Sequence, residues 1–359
     1  MAIEIISGEE AWAKIWPQNE QKFWPSLKEA ERLHPIATPT TRATFKIHPE
    51  EKIFCIGSCF ARELNFALDR IGYNALSIFR DLPRSTNRKH SDANMCNKYN
   101  VASIYNELSW ALNPNTPYEH DRVLIETNNN RFEDYQLTGA SYRDSAASAK
   151  EFREAFNSNF AKIKEADVVI LTLGLSEVWY DKQQQLYLNT TVSSKAVELY
   201  PNRFELHIFD YEQTLSFLNA IYELLETNLK PSFRLLITVS PVPLHATFRP
   251  QDVFVANSYS KAVLRAVVEE FITDKDKVNY FPSYEFVALS NSSAVWRGDD
   301  FRHIDSTFVD YIMGNVMAQF TQAPSTIDDD NLLLKAKALY HGRFFIEAKS
   351  IVSSLLKKQ

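Results

Sequence analysis

Two rhythms of hydrophobic positions alternate along the chain. Short apolar runs of strand length stand at Lys52–Gly57 (KIFCIG), Ala166–Leu173 (ADVVILTL) and Phe233–Val239 (FRLLITV). After the first, Phe60, Leu64, Ala67, Leu68 and Ile71 recur at three- and four-residue spacing, which predicts a helix ended by Gly72 in the C′ position. Further helices are predicted over Val101–Leu112, Ala146–Glu165, Tyr211–Asn228, Ser258–Ile272 and Ser306–Phe320. Tyr73–Phe79, Leu206–Phe209 and Val278–Phe281 read as additional strands, and Arg122–Glu126 and Arg131–Tyr135 flank Asn128-Asn129-Asn130 as a hairpin would. Strands alternating with longer helices imply a parallel sheet covered by helices on both faces. Its uninterrupted apolar runs are those of strands buried on both sides. Such sheets carry their sites at the carboxyl ends of the strands, here just after Ile56, Leu173 and Val239.

The two ends of the chain follow neither rhythm. Residues 1–50 are broken by Pro17, Pro25, Pro35, Pro39 and Pro49 and are expected to form an arm packed on the core. Residues 51–322 form the main α/β domain. Residues 323–359 read as two amphipathic helices with a break at Gly342, and the Ala336-x-x-Leu339-Tyr340-x-Gly342 spacing looks like one tetratricopeptide-type unit. A single unit cannot bury its own face, so this pair is expected to dock on the main domain or on a protein partner.

Charge and composition narrow the function. With 39 Lys and Arg against 45 Asp and Glu the net charge is −6, which argues against nucleic acid as a partner. The basic stretch Arg80–Lys89 reads as a solvated loop. The first residues lack the charged and apolar regions of a signal peptide, and no apolar run is long enough to span a membrane. With three cysteines, an odd number, these features suggest a cytoplasmic protein with reduced thiols. The eight histidines are scattered without ligand spacing, and no phosphate-binding glycine fingerprint is present, so neither metal nor cofactor is expected. Only eight glycines occur in 359 residues, which makes those that close strands informative.

Three stretches can carry chemistry. Gly57-Ser58-Cys59-Phe60-Ala61 places two nucleophilic side chains where a strand turns into a helix. Amides at a helix start stabilise an anion and lower a thiol pKa, so Ser58 or Cys59 could attack a carbonyl. The plainer reading is a Ser58 helix cap beside a packed cysteine. Asp300-Phe301-Arg302-His303 is a D-x-x-H in which the carboxylate could orient the imidazole as a general base, although loop histidines are commonly just solvated. Thr172–Trp179 (TLGLSEVW) follows a buried strand, and the Ser176 hydroxyl could donate to an oxyanion or be an ordinary junction residue.

Read together, these strings resemble the GSCFA-domain family, which is grouped with the SGNH (GDSL-type) hydrolases. The resemblance runs from about Ile53 to Phe320. It is carried by GSCFA at 57–61, TLGLSEVW at 172–179, TVSPVPLHATF at 238–248, NSYSKAVLRA at 257–266, NYFPSYE at 279–285 and D-x-x-H at 300–303. It implies a three-layer α/β/α sandwich with a mostly parallel, about five-stranded sheet. It also implies an esterase or acyltransferase working through a covalent acyl-enzyme, with a small-molecule or carbohydrate ester as substrate. Gly57 falls on the glycine of the family's G-D-S block, Ser58 on its aspartate and Cys59 on its nucleophile. Ser58 would serve after a one-residue shift. Asp300 and His303 complete the triad, Ser176 replaces the usual oxyanion asparagine, and Asn100 is the candidate for the remaining donor. Glu177, Trp179 and His245 are expected on the substrate side. The rival reading is a non-catalytic carbohydrate-binding or scaffold protein that keeps a degenerate pocket.

Overall fold

A computed structural model describes residues 2–15, 20–26, 32–79, 82, 97–128, 131–137, 145–321 and 327–357. The chain divides into two units. One is His48–Phe271, and the other joins Met1–Ile47 to Ile272–Gln359. The strands in chain order are β1 (Lys52–Gly57), β2 (Asn74–Ala75), β3 (Leu124–Asn128), β4 (Arg131–Asp134), β5 (Val168–Leu173), β6 (Glu177–Asp181), β7 (Leu186–Tyr187), β8 (Phe204–Ile208), β9 (Arg234–Val239) and β10 (Val278–Tyr280). The principal sheet has five strands in the order β10-β9-β5-β1-β2, and helices flank it in the α/β sandwich expected from the sequence.

β1, β5 and β9 pair in parallel with unbroken register, Ile53 opposite Val168 and Val168 opposite Arg234. Every residue of β5 is buried, as its uninterrupted apolar run requires when both faces are covered. Each such Val, Leu or Ile contributes about 1.5–3 kcal/mol by leaving water. Helix Cys59–Arg70 packs its periodic apolar residues on β1, β2 and β5, and helices Val101–Leu112 and Tyr211–Asn228 pack on each other.

Three sequence expectations are corrected in detail. The strand expected over Tyr73–Phe79 shrinks to Asn74–Ala75, a two-residue edge. The helix expected from Ser258 begins five residues earlier, as Val253–Ile272. Leu206–Phe209 is not part of the main parallel pattern. Its strand β8 pairs antiparallel with β6, and with β7 they form a separate three-stranded sheet. β6 and β7 are too short and mixed in polarity to announce themselves by alternation. Around them Val123, Ile125, Tyr135, Leu186 and Leu188 form a second core, with Trp179 packed against it. The β3–β4 hairpin is antiparallel as expected. The basic stretch Arg80–Lys89, apart from Leu82, and Cys96 lie outside the described residues.

In the other unit the N-terminal arm is tied to the later elements by hydrogen bonds. Ala37 N donates to Ser290 Oγ at 2.8 Å, Thr44 N to Asn279 Oδ1 at 2.8 Å and Ile47 N to Phe320 O at 2.6 Å. The C-terminal helices Ile327–His341 and Phe345–Leu356 break around Gly342, and the first packs on helix Ser306–Phe320, burying Ala336, Ala338 and Leu339. Among the described residues no helix is long and apolar enough to cross a membrane.

Candidate functional site

The carboxyl ends of β1, β5 and β9 converge on a cluster of small polar groups in the unit His48–Phe271. Gly57 ends β1 opposite Thr172, with φ at +141° and no room for a side chain: a Cβ would stand 2.2 Å from the Thr172 carbonyl oxygen. A Cβ on Gly174 would stand 2.5 Å from the Tyr99 carbonyl oxygen. Both glycines therefore permit close backbone approach where the strands give way to loops. The backbone of residues 97–99 fills the gap. Lys98 N donates to Gly57 O at 2.6 Å and Leu175 N to Tyr99 O at 2.8 Å.

Ser58 is the N-cap of helix Cys59–Arg70. Its Oγ accepts from Phe60 N at 3.4 Å and donates to Ser240 Oγ, just beyond β9, at 3.0 Å. The side chain is 3 % exposed and both its roles are taken. Cys59 occupies the first helical position and is only partly buried, whereas Cys55 lies inside β1, where burial pushes its thiol far above the usual range. Asn100 caps the next helix: its Oδ1 accepts from Ser103 N at 2.8 Å, and its Nδ2 donates to Leu188 O at 2.9 Å. Ser176 sits in the loop after β5. Its backbone amide donates to Ser260 Oγ at 2.9 Å, while its own Oγ is buried without a hydrogen-bond partner. Lys261, adjacent to Ser260, is buried and donates from Nζ to Gly174 O at 2.9 Å. Burial pushes its ammonium down to about 7, and a negative charge on the nearby Cys59 sulfur works against that.

Glu177 and Trp179 lie on β6 and reach the loop after β9. Thr247 Oγ1 donates to Glu177 Oε1 at 2.7 Å, and Phe248 stands edge-on to Trp179 with ring centroids 5.2 Å apart. His245 is exposed on that loop. Nearby, the Arg249 guanidinium covers the Tyr259 ring at 5.2 Å.

Asp300 and His303 belong to the other unit, in a loop closed by a bridge between Trp296 and Ile304. His303 Nδ1 is hydrogen-bonded to Asp300 Oδ2. Asp300 Oδ1 accepts from the backbone amides of His303 at 2.7 Å and Arg302 at 2.9 Å. The His303 backbone amide first, then its imidazole and the Arg302 amide, hold the Asp300 carboxyl well below the usual carboxylate range. A carboxylate on Nδ1 fixes the imidazole tautomer, and Arg302 Nη1 lies 3.5 Å from Nε2.

Residues 52–316 match the GSCFA family. The chain belongs to the GSCFA family. No protein of curated function matches it. Within the matched residues, Gly57–Ala61 reads GSCFA and covers the close approach of Gly57, the Ser58 cap and Cys59 at the helix start.

Sequence reasoning on this GSCFA protein missed Ser240, Ser260 and Lys261. All three lie inside strings that carry the family resemblance, and Ser240 directly follows a strand end. That position was the available signal for Ser240. Lys261 lies mid-helix, and no local pattern distinguishes it from a solvent-facing lysine.

Proposed function

We propose that this GSCFA protein is an SGNH-type ester hydrolase or acyltransferase that works through an acyl-Cys59 intermediate. The observation that carries the reading is Cys59 itself: a partly exposed thiol at the first position of a capped helix, directly after a buried parallel strand. A helix start favours the thiolate and supplies backbone amides for an oxyanion.

In this scheme Cys59 attacks an ester carbonyl carbon as the thiolate, with His303 as the imidazolium, forming a C–S bond and a tetrahedral oxyanion. The Cys59 amide and the Ser176 hydroxyl stabilise that charge. Ser176 is preferred over Asn100 as donor, because the Asn100 side chain already serves the helix cap and Leu188. The C–O bond then breaks, and His303, oriented by Asp300, protonates the departing alcohol. Water, or a sugar hydroxyl in a transferase, gives a proton to His303 as it attacks the thioester, and Cys59 leaves as the thiolate. O-acylated carbohydrates fit as substrates, with Trp179 and Phe248 offering ring faces and Glu177 and His245 polar contacts.

The test is turnover of short-chain aryl esters. Cys59→Ala is expected to lose at least about a thousandfold in kcat. Unchanged turnover in Cys59→Ala with loss in Ser58→Ala would move the nucleophile one residue back. The second reading, a non-catalytic binding or scaffold protein, draws on the Ser58 and Asn100 side chains being closed into helix caps. It predicts no turnover in the wild type and saturable binding of an acylated sugar.

A further inference from the structure

Lys261 has no part in the scheme above, yet it is anchored where the thiol stands. Gly57 and Thr172 face each other across β1 and β5, and Cys59 and Gly174 each follow two residues beyond that pair. The Lys261 ammonium donates to the Gly174 carbonyl. Its neighbour Ser260 holds the Ser176 amide, so two consecutive side chains of helix Val253–Ile272 clamp the 174–176 loop. Besides its burial the lysine feels the Cys59 sulfur, which in its ionised form favours the ammonium. The other side chains grouped at these strand ends, Ser58, Ser176, Ser240 and Ser260, carry no charge.

A buried ammonium bound to a neutral carbonyl is costly unless an anion answers it. A thiol provides that anion only when it ionises. We propose that Lys261 and Cys59 share one proton, so that in the resting protein the thiol is held as a thiolate facing the Lys261 ammonium. The transfer breaks the Cys59 S–H bond and forms an N–H bond on the Lys261 amine, with no change in net charge. The amides at the helix start favour the same ionised form. Lys261 is then a positioning residue that acts through Cys59, and His303 is left to serve the alcohol and the water. The inference rests on Cys59 being the nucleophile of the proposed function and on nothing about the substrate.

The experiment follows alkylation of Cys59 by iodoacetamide across pH in the full chain, with the modified residue identified by mass spectrometry. The wild-type thiol is expected to titrate below the ordinary value of about 8.5. Lys261→Met is expected to raise that midpoint by about one unit or more and to slow alkylation near neutral pH about tenfold. Lys261→Arg, which keeps a cation, is expected to restore the low midpoint. Thermal unfolding checks that each variant is folded. Identical profiles for wild type and folded Lys261→Met overturn the proposal. If Lys261→Met does not fold, the wild-type profile decides, and a thiol titrating at its ordinary value overturns it. Because no ester enters the measurement, a depressed thiol in a protein without ester turnover sinks the esterase reading alone. An ordinary thiol in an active esterase sinks the lysine's role alone.

Discussion

Lys98 and Lys261 are both buried in the unit His48–Phe271, and the fold treats them in opposite ways. Lys98 Nζ is bound to Glu107 Oε1 at 2.6 Å and to the Gln136 carbonyl. Arg153 joins the same group, donating to Glu107 Oε2 at 2.6 Å with its guanidinium 4.6 Å from the Tyr118 ring centre and 5.0 Å from that of Phe156. Asp134 completes the set, 3.5 Å from Arg153 Nη1. Two cations therefore meet two carboxyls. Burial lowers the proton affinity of Lys98, while the Glu107 carboxylate works against that. Burial also raises the Asp134 carboxyl, with Arg153 opposing. Glu107 itself stays below the carboxylate range because Arg153 and Lys98 together outweigh its burial. Lys261 has a carbonyl and a thiol instead. A carboxylate compensates a buried cation over nearly the whole pH range, whereas a thiol does so only when it gives up its proton. The first arrangement fixes a structure, and the second leaves a proton free to move.

Removing one member of the ion cluster should have the largest effect. Glu107→Ala strands the Lys98 ammonium and leaves Arg153 only Asp134, and it is expected to lower unfolding stability by about 3–5 kcal/mol in denaturant titration. A loss under about 1 kcal/mol would show that water compensates the cluster and would erase the contrast with Lys261.

The second prediction concerns pH. Burial pushes the Lys261 ammonium down to about 7. In the proposed pair the proton lost there is the thiol's, so the folded pair holds one proton where the unfolded chain holds two until its own thiol ionises at about 8.5. Between those values the unfolded chain binds a proton that the folded chain has released. Stability should therefore rise with pH through that window, by at most about 1.4 kcal/mol per unit. The penalty of the buried ammonium is fully present below the window. Lys261→Met should flatten the rise, and a slope unchanged by that variant would assign the effect elsewhere.

The smallest effect is expected at the cap. Ser58→Ala should cost about 1 kcal/mol in thermal unfolding, the usual loss of a helix N-cap, while leaving Cys59 open to alkylation. Loss of alkylation in a stable Ser58→Ala protein would give Ser58 a chemical role beside the thiol.

Much of this architecture could be read from the chain. β1 and the helices Val101–Leu112, Tyr211–Asn228 and Ser306–Phe320 fall where periodicity and flanking residues put them, because each is specified within its own length. The same holds for Asp300 and His303, since three residues of loop suffice to join a carboxylate to an imidazole. The second sheet was not legible: β6 and β7 are short, and β8 takes its antiparallel partner from a distant stretch.

The sequence by itself determined the central parallel strands and most of the long helices, the cap at Ser58 and the placing of Cys59 at a helix start, all consequences of local backbone preference and burial period. The tertiary structure alone decided which charges are compensated. Glu107 reaches Arg153 across 46 positions, and Lys261 reaches Gly174 across 87. The state of a buried charge depends on what the fold brings within a few ångströms, and no local pattern carries that information.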